Sequence, residues 1–390
     1  MPYINFRRCS QKARRVPLPL ERAEVCRRSK GPRIIAAFAK QNMESALKFR
    51  LHQRGPVEIS HLNEFEPRGT SQCDMNPISA EKSKLGFIGV GYMGRPIAQR
   101  LLEAGFNLTV YDREDGKAEE LTRYGGKLAE NVKGLSSTCD VLLSCLPQDE
   151  AVLNVYAGAS GAFASMRPGS LVIDMSTVYP ETSQELSRLG AERGVSVLDV
   201  TISGSTPAAA QGTLTLFGGG DQECFEAAES IFRVIARKYF YLGPSGSGAT
   251  MKLVVNTLLG IGMQAIAEAV ALGEKAGLER TRLLEVLSQT AVVAPAHLGK
   301  LQRAMKGDYS PQFPLRLMKK DFWLILNLAA AVQARMPATE AAFEVNATQS
   351  EQGNEQDFSA VIQQMQKQAR LSFRDREQNR PGRVSKQKLM

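Results

Sequence analysis

The spacing of apolar residues changes twice along the chain. Residues 1–82 hold no sustained period of 2 or 3.6, and Ile34–Ala39 is the only apolar cluster near the start. From Lys84 to Leu242, short apolar runs alternate with helical spacing. Leu85–Ile88, Leu108–Tyr111, Asp140–Cys145, Ser170–Asp174, Val195–Val200, Thr213–Phe217 and Tyr239–Leu242 read as strands. Met93–Ala104, Asp149–Tyr156, Glu181–Arg193 and Asp221–Ala236 read as helices. The alternation predicts an α/β fold built on a doubly wound sheet. After Gly243–Gly248 the strand signals stop. Ala249–Gly273, Glu279–Gln289, Pro295–Met305, Leu317–Val332 and Ala338–Asn346 predict an all-α second half.

These shifts divide the chain into four parts. Residues 1–82 form an extension outside the fold, 83–243 a nucleotide-binding domain, 244–371 a helical domain for substrate and dimer contacts, and 372–390 a loose tail. Ala249–Gly273 has the length of a membrane span. Lys252, Asn256, Gln264 and Glu268 interrupt it and mark a buried helix instead. No membrane partner is expected.

Charge sharpens the first boundary. The net charge is +9, yet residues 1–54 alone carry 14 Lys or Arg against 3 acids. The remainder carries 35 basic and 37 acidic residues and is close to neutral. The basic balance therefore gives no reason to expect a nucleic-acid partner for the body. For residues 1–82 three readings compete: an unfolded or mis-assigned extension (preferred), a transit peptide, and a basic arm. The expected location is cytoplasmic, or organellar if the extension is a transit peptide.

Six scattered cysteines without a C-x-x-C pair read as a reduced set and not as a zinc site. The three histidines, His52, His61 and His297, make a multi-His metal centre an unsuitable reading, and none is proposed. His297 reads as structural.

Gly89-Val90-Gly91-Tyr92-Met93-Gly94 is a G-x-G-x-x-G that follows one strand and opens a helix. Asp112 closes the next strand, 21 residues beyond Gly91. That context makes the motif a Rossmann-type dinucleotide site. Gly89 permits the tight turn, Gly91 lets backbone approach a pyrophosphate, and Gly94 lets helix and strand pack closely. The helix N-terminus turns free N–H groups towards phosphate. Asp112 accepts from ribose hydroxyls and repels a 2′-phosphate, which favours NAD(H); Arg113 beside it favours NADP(H). The balance leans towards NAD(H). The carboxyl ends of later strands, at Leu146, Pro147, Ser176 and Thr177, line the expected ligand crevice.

Lys252 and Asn256 stand four residues apart on one helix face, among Met251, Leu253, Val254 and Val255. A desolvated ammonium has a lowered pKa and exchanges a proton near neutrality, which makes Lys252 the acid/base candidate.

Together these segments resemble the β-hydroxyacid dehydrogenase family related to 3-hydroxyisobutyrate dehydrogenase. The likeness covers about Lys84 to Arg370. It rests on the glycine motif, Ile173-Asp174-Met175-Ser176-Thr177, Ser203-Gly204-Ser205, Gly248–Asn256, Phe313-Pro314-Leu315 with Lys320-Asp321, and Asp357–Val361. Within the family, Phe240-Tyr241-Leu242-Gly243 looks most like the glyoxylate/succinic semialdehyde reductase group. That group carries Asn-Arg-Thr after the second strand and prefers NADPH, whereas here Asp112-Arg113-Glu114 stands. Its Pro-Val before the Ser-Gly is here Thr201-Ile202.

The resemblance implies hydride exchange between a nicotinamide and a small carboxylate-bearing aldehyde or β-hydroxyacid. Lys252 would be general acid/base, with Asn256 orienting substrate or nicotinamide. Ser203, Gly204 and Ser205 would hold the substrate carboxylate. Gly89, Gly91, Tyr92, Met93, Gly94, Asp112, Arg113, Leu146, Pro147, Thr177 and Lys320 would contact the cofactor. A homodimer or homotetramer through the helical domain is also implied. Oxidation of 3-hydroxyisobutyrate is the second enzymatic reading. A non-catalytic, chromatin-associated branch with the same fold supplies a reading of another class; it lacks the catalytic lysine, which is present here.

Overall fold

The structure, a computed structural model, describes residues 77–114, 116–348 and 354–378, with side chains to residue 369. Eight strands form one sheet in the order β3-β2-β1-β4-β5-β6-β7-β8. They are β1 Lys84–Ile88, β2 Asn107–Tyr111, β3 Lys127–Leu128, β4 Val141–Ser144, β5 Leu171–Asp174, β6 Ser196–Ser203, β7 Leu214–Gly219 and β8 Ala236–Tyr241. All neighbours run parallel except β6 and β7, which pair antiparallel from Asp199↔Gly219 to Ser203↔Thr215. The first six strands have the dinucleotide-fold order, with the reversal of winding at β1 and β4.

Parallel strands covered on both faces must be apolar throughout, and β4 and β5 are fully buried along their length. Alternate side chains feed two cores. Leu85 and Phe87 join Ile97 and Leu101 of helix α1 (Gly94–Glu103) on one face. On the other, Ile88 and Leu142 meet Leu135 of α2 (Val132–Ser136), Val152 and Tyr156 of α3 (Asp149–Ala157) and Leu186 of α4 (Pro180–Ala191). Helix α5 (Thr206–Ala210) follows β6.

The span expected as one helix over Asp221–Ala236 is two, α6 Gln222–Ala227 and α7 Glu229–Ile235, and Ala236 already belongs to β8. The break has a partner. Ile78 donates its N–H to the Ala227 carbonyl at 3.0 Å, and Ser230 Oγ donates to the Ile78 carbonyl at 2.6 Å. Ile78 is buried in the first core. Packed structure therefore starts before residue 83, which corrects the first expected boundary. The rest of the extension, residues 1–76, lies outside the described residues.

Helices α8 Ser247–Lys275, α9 Arg280–Ser288, α10 Pro295–Met305, α11 Leu315–Ala331, α12 Pro337–Ala347 and α13 Val361–Gln378 form the second half. Helix α13 continues past residue 371 to Gln378, so the loose tail does not begin at 372. Residues 379–390 lie outside the described residues. Helix α8 is long and apolar enough to cross a membrane. It packs here against β6, β7, α11 and α13. A buried ion pair closes this half: Lys300 Nζ donates to Asp357 Oδ2 at 2.6 Å. The same oxygen accepts from the Gln312 and Phe313 N–H groups, and Asp357 Oδ1 accepts from Ser359 Oγ at 2.7 Å. Such a carboxylate is compensated at every lone pair.

Cys139 and Cys145 are free thiols, but Cys224 is disulfide-bonded. The reading of an all-reduced cysteine set is thereby corrected. Cys9, Cys26 and Cys73 lie outside the described residues.

Candidate active site

The glycine turn joins β1 to α1. Gly89 has φ +90°, and a Cβ there would come within 2.5 Å of the Cys145 carbonyl oxygen. Only glycine adopts that conformation without strain in that space. A Cβ on Gly94 would sit 1.9 Å from the Gly89 carbonyl oxygen, so helix and turn touch through a hydrogen atom. A Cβ on Gly91 would meet nothing within 4 Å. The backbone there borders open space. Met93 at the N-cap makes no side-chain cap bond, and the first turn of α1 has no acidic residue. N–H groups at this helix end are left for an anion. Tyr92 is 48% exposed beside them.

Asp112 follows β2, half-buried. Its Oδ2 accepts from the Val90 N–H at 2.9 Å and its Oδ1 from the Glu114 N–H at 2.9 Å. The carboxylate is thus fixed against the glycine turn. Arg113 is exposed.

The ends of β4 and β5 are tied together by a buried hydroxyl network that sequence reading missed. Ser144 Oγ and Ser176 Oγ each lie 2.6 Å from Asp174 Oδ1, and Tyr156 OH donates to Ser144 Oγ at 2.7 Å. Ser176 Oγ also accepts from the Leu146 N–H at 2.9 Å. Burial pushes the Asp174 carboxyl up, and the hydroxyl donors oppose that. Leu146 is half-buried and Pro147 exposed. The network sets both loops, Leu146-Pro147 and Ser176-Thr177.

Lys252 lies in the second turn of α8, half-buried. Desolvation brings its ammonium down from 10.5 to about 8. The Asp321 carboxylate pulls the other way, and the Lys320 ammonium adds to the lowering. Burial pushes the Cys145 thiol up to about 12, so it stays protonated near neutrality.

Asn256, one turn beyond Lys252, is buried. Its Nδ2 donates to Asp321 Oδ2 at 2.6 Å, and its buried Oδ1 makes no hydrogen bond. Asp321 Oδ1 lies 3.2 Å from Lys320 Nζ, at ion-pair distance without hydrogen-bond alignment. Lys320 Nζ donates to the Thr177 carbonyl. Lys252, Asn256, Lys320, Asp321 and Thr177 thus gather where the helical half meets β5. In the sequence Asp321 stands out only as the neighbour of Lys320; its bond to Asn256 depends on the packing of two helices.

Ser203 ends β6, and Gly204 (φ +144°) and Ser205 lead into α5. Ser203 is half-buried and the next two are exposed. Thr206 Oγ1 lies 3.9 Å from Met93 Sδ, which brings this turn to the glycine turn. His297 is buried, with Nε2 at 3.0 Å from the Leu259 carbonyl oxygen, facing its own helical bundle. No group of three or more His, Cys, Asp or Glu side chains suited to a metal occurs among the described residues.

Two family models match the chain. Residues 84–243 match the NAD binding domain of 6-phosphogluconate dehydrogenase. Residues 246–365 match the NAD-binding domain of NADP-dependent 3-hydroxyisobutyrate dehydrogenase. Glyoxylate/succinic semialdehyde reductase 2, chloroplastic, of Arabidopsis thaliana is 36% identical over 72% of this chain and 78% of its own length. The cytokine-like nuclear factor N-PAC of Homo sapiens is 32% identical over 79% of this chain, which spans about half (55%) of that protein. Among solved structures, 3-hydroxyisobutyrate dehydrogenase from Salmonella typhimurium superposes with a TM-score of 0.68 at 26% identity, over 72% of this chain and 99% of that one. The open turn at Gly91 and the uncapped start of α1 fit the dinucleotide that these likenesses imply.

Proposed function

This chain belongs to the β-hydroxyacid dehydrogenases related to 3-hydroxyisobutyrate dehydrogenase and is an NAD(P)-dependent enzyme acting on hydroxyl donors; from that premise we propose that it reduces a small carboxylate-bearing aldehyde of the glyoxylate or succinic semialdehyde kind, with Lys252 as its proton donor. The geometry that carries this reading is the α8 face on which half-buried Lys252 stands one turn before Asn256, whose Nδ2 is held by the buried Asp321 carboxylate; desolvation there brings the Lys252 ammonium down to about 8.

The bound nicotinamide supplies the hydride. Residues 83–243 hold the dinucleotide, through the glycine turn, Tyr92, Met93, Asp112, Arg113, Leu146, Pro147 and Thr177. Residues 244–371 present Lys252 to the substrate carbonyl. As negative charge grows on that oxygen, Lys252 gives it a proton; in the reverse direction the neutral amine takes the hydroxyl proton. An ammonium with a pKa near 8 is mostly protonated at neutral pH and gives its proton up readily. Asp321 keeps it from falling further, since opposite charge favours the protonated form. Asn256 is held by Asp321 through Nδ2, which leaves its Oδ1 for a donor on the ligand. Lys320 spans the two halves through the Thr177 carbonyl. Ser203, Gly204 and Ser205 offer hydroxyl and backbone N–H donors to the substrate carboxylate.

The fixed Asp112 carboxylate favours NAD(H) over NADP(H), because it cannot swing away from a 2′-phosphate. A second copy of the chain would cover the outward apolar side chains of α8, where Leu258 and Leu272 are each 72% exposed. For the non-catalytic reading, a Lys252 set in a desolvated site would have no use. The test is a screen of NADH and NADPH oxidation with glyoxylate, succinic semialdehyde, tartronate semialdehyde and methylmalonate semialdehyde. Turnover with one of the first two supports the assignment. Turnover only with methylmalonate semialdehyde selects the 3-hydroxyisobutyrate reading. No turnover with any, together with salt-dependent retention on DNA, selects the non-catalytic one.

A further inference from the structure

We propose that Asp199 is a positioning residue, which clamps the first turn of α8 to the nucleotide-binding sheet and so fixes where Lys252 stands relative to the nicotinamide. The proposal rests on the acid/base reading of Lys252.

Asp199 sits in β6 with 2% of its surface exposed, in the run Val197-Leu198-Asp199-Val200. A carboxylate in such a strand is costly unless its lone pairs are used. Both oxygens are used on one element. Oδ1 accepts from the Gly246 N–H at 2.9 Å, and Oδ2 accepts from the Ala249 N–H at 2.8 Å. These are the N-cap and third residues of α8. Gly246 stands at φ +93° and has no side chain with which to cap its own helix. The cap comes instead from a strand in the other half of the molecule, and it places negative charge at the positive end of a 29-residue helix.

Backbone and carboxylate approach closely around the clamp. A Cβ on Gly248 would lie 2.3 Å from the Asp199 carbonyl oxygen and 2.4 Å from that of Phe217. A Cβ on Gly219 would lie 2.7 Å from Asp199 Oδ1. Thr201, on the same face of β6, adds a third tie by donating Oγ1 to the Gly248 carbonyl at 2.8 Å. Lys252 follows Ala249 by three residues, about 4.5 Å along the axis. Sheet and helix are therefore referenced to each other through this carboxylate within one turn of the reacting amine. The sheet holds the hydride donor and the helix holds the proton donor, so an error at the clamp becomes an error between them. Misplacement by about 1 Å is enough to cost about 100-fold in rate.

Asp199→Asn keeps the shape but turns an NH2 towards one of the two N–H donors. Thr201→Val removes only the third tie. Both are compared with wild type and Lys252→Ala as full-length chains, with glyoxylate and whichever of NADH or NADPH wild type uses faster. For Asp199→Asn the expected result is a kcat lowered about 30-fold or more, with cofactor dissociation constant and glyoxylate KM within about 3-fold. The deuterium isotope effect on kcat, measured with 4-deuterated cofactor, should rise as hydride transfer becomes rate-limiting. A folded Asp199→Asn with kcat within about 3-fold of wild type overturns the proposal. So does a loss in which kcat and cofactor affinity fall together with the isotope effect unchanged, which marks a general structural role. If Asp199→Asn does not fold, Thr201→Val decides: kcat lowered about 3- to 10-fold at unchanged cofactor affinity supports the clamp, and unchanged kcat overturns it. Turnover retained by Lys252→Ala overturns this proposal and the acid/base reading together. Turnover lost there but kept in both clamp variants overturns the clamp alone.

Discussion

Asn256 Nδ2 donates to Asp321 Oδ2 at 2.6 Å, joining α8 to α11 on the helix face that also carries Lys252. One buried carboxylate thereby serves two residues four apart: it orients the amide and holds up the pKa of the amine. Asp321→Asn removes the charge and keeps the shape. Without the carboxylate, the lowering from burial and Lys320 is opposed by nothing of similar size. The alkaline limb of the reduction profile should then move to lower pH, with kcat at pH 7 down about 10-fold. A kcat/KM pH profile of the variant checks this; an unmoved limb would show that Asp321 does not act on the amine.

The two directions of the reaction should respond to pH with opposite sign. Reduction needs the protonated amine and should fall as pH rises through about 8. Oxidation needs the neutral amine and should rise over the same interval. Initial rates from pH 6 to 10 at saturating cofactor measure both. Limbs near 10.5 in each direction would mean that the amine is fully solvated.

Cofactor choice turns on the fixed carboxylate after β2. Asp112→Asn removes the charge that opposes a 2′-phosphate while Arg113 remains. The ratio of kcat/KM for NADPH to that for NADH should rise about 10-fold, equivalent to about 1.4 kcal/mol. A ratio that falls contradicts the role given to Asp112.

Local chemistry was legible in the sequence and distant chemistry was not. The glycine turn, the acid after β2 and the i, i+4 pair on α8 lie within one element or one βαβ unit, so their spacing is their geometry. Strand β3 is two residues long and carries no period at all. The break at Ala228 follows from the approach of Ile78, 150 residues earlier in the chain. Asp174 and Asp199 are each an acid in an apolar strand run, which demands a buried partner. What that partner is, a serine pair for one and a helix start for the other, depends on which strands become neighbours. The Cys224 disulfide was hidden because a scattered cysteine shows no spacing to read.

The central claim is that the half-buried amine of Lys252 moves the proton. Single-turnover reduction by Lys252→Ala, followed by cofactor absorbance at pH 7 with the cofactor affinity measured in parallel, tests it most directly. The account predicts a rate lowered about 100- to 10,000-fold, with cofactor binding and fold intact. A variant that binds cofactor and transfers hydride at the wild-type rate would contradict it.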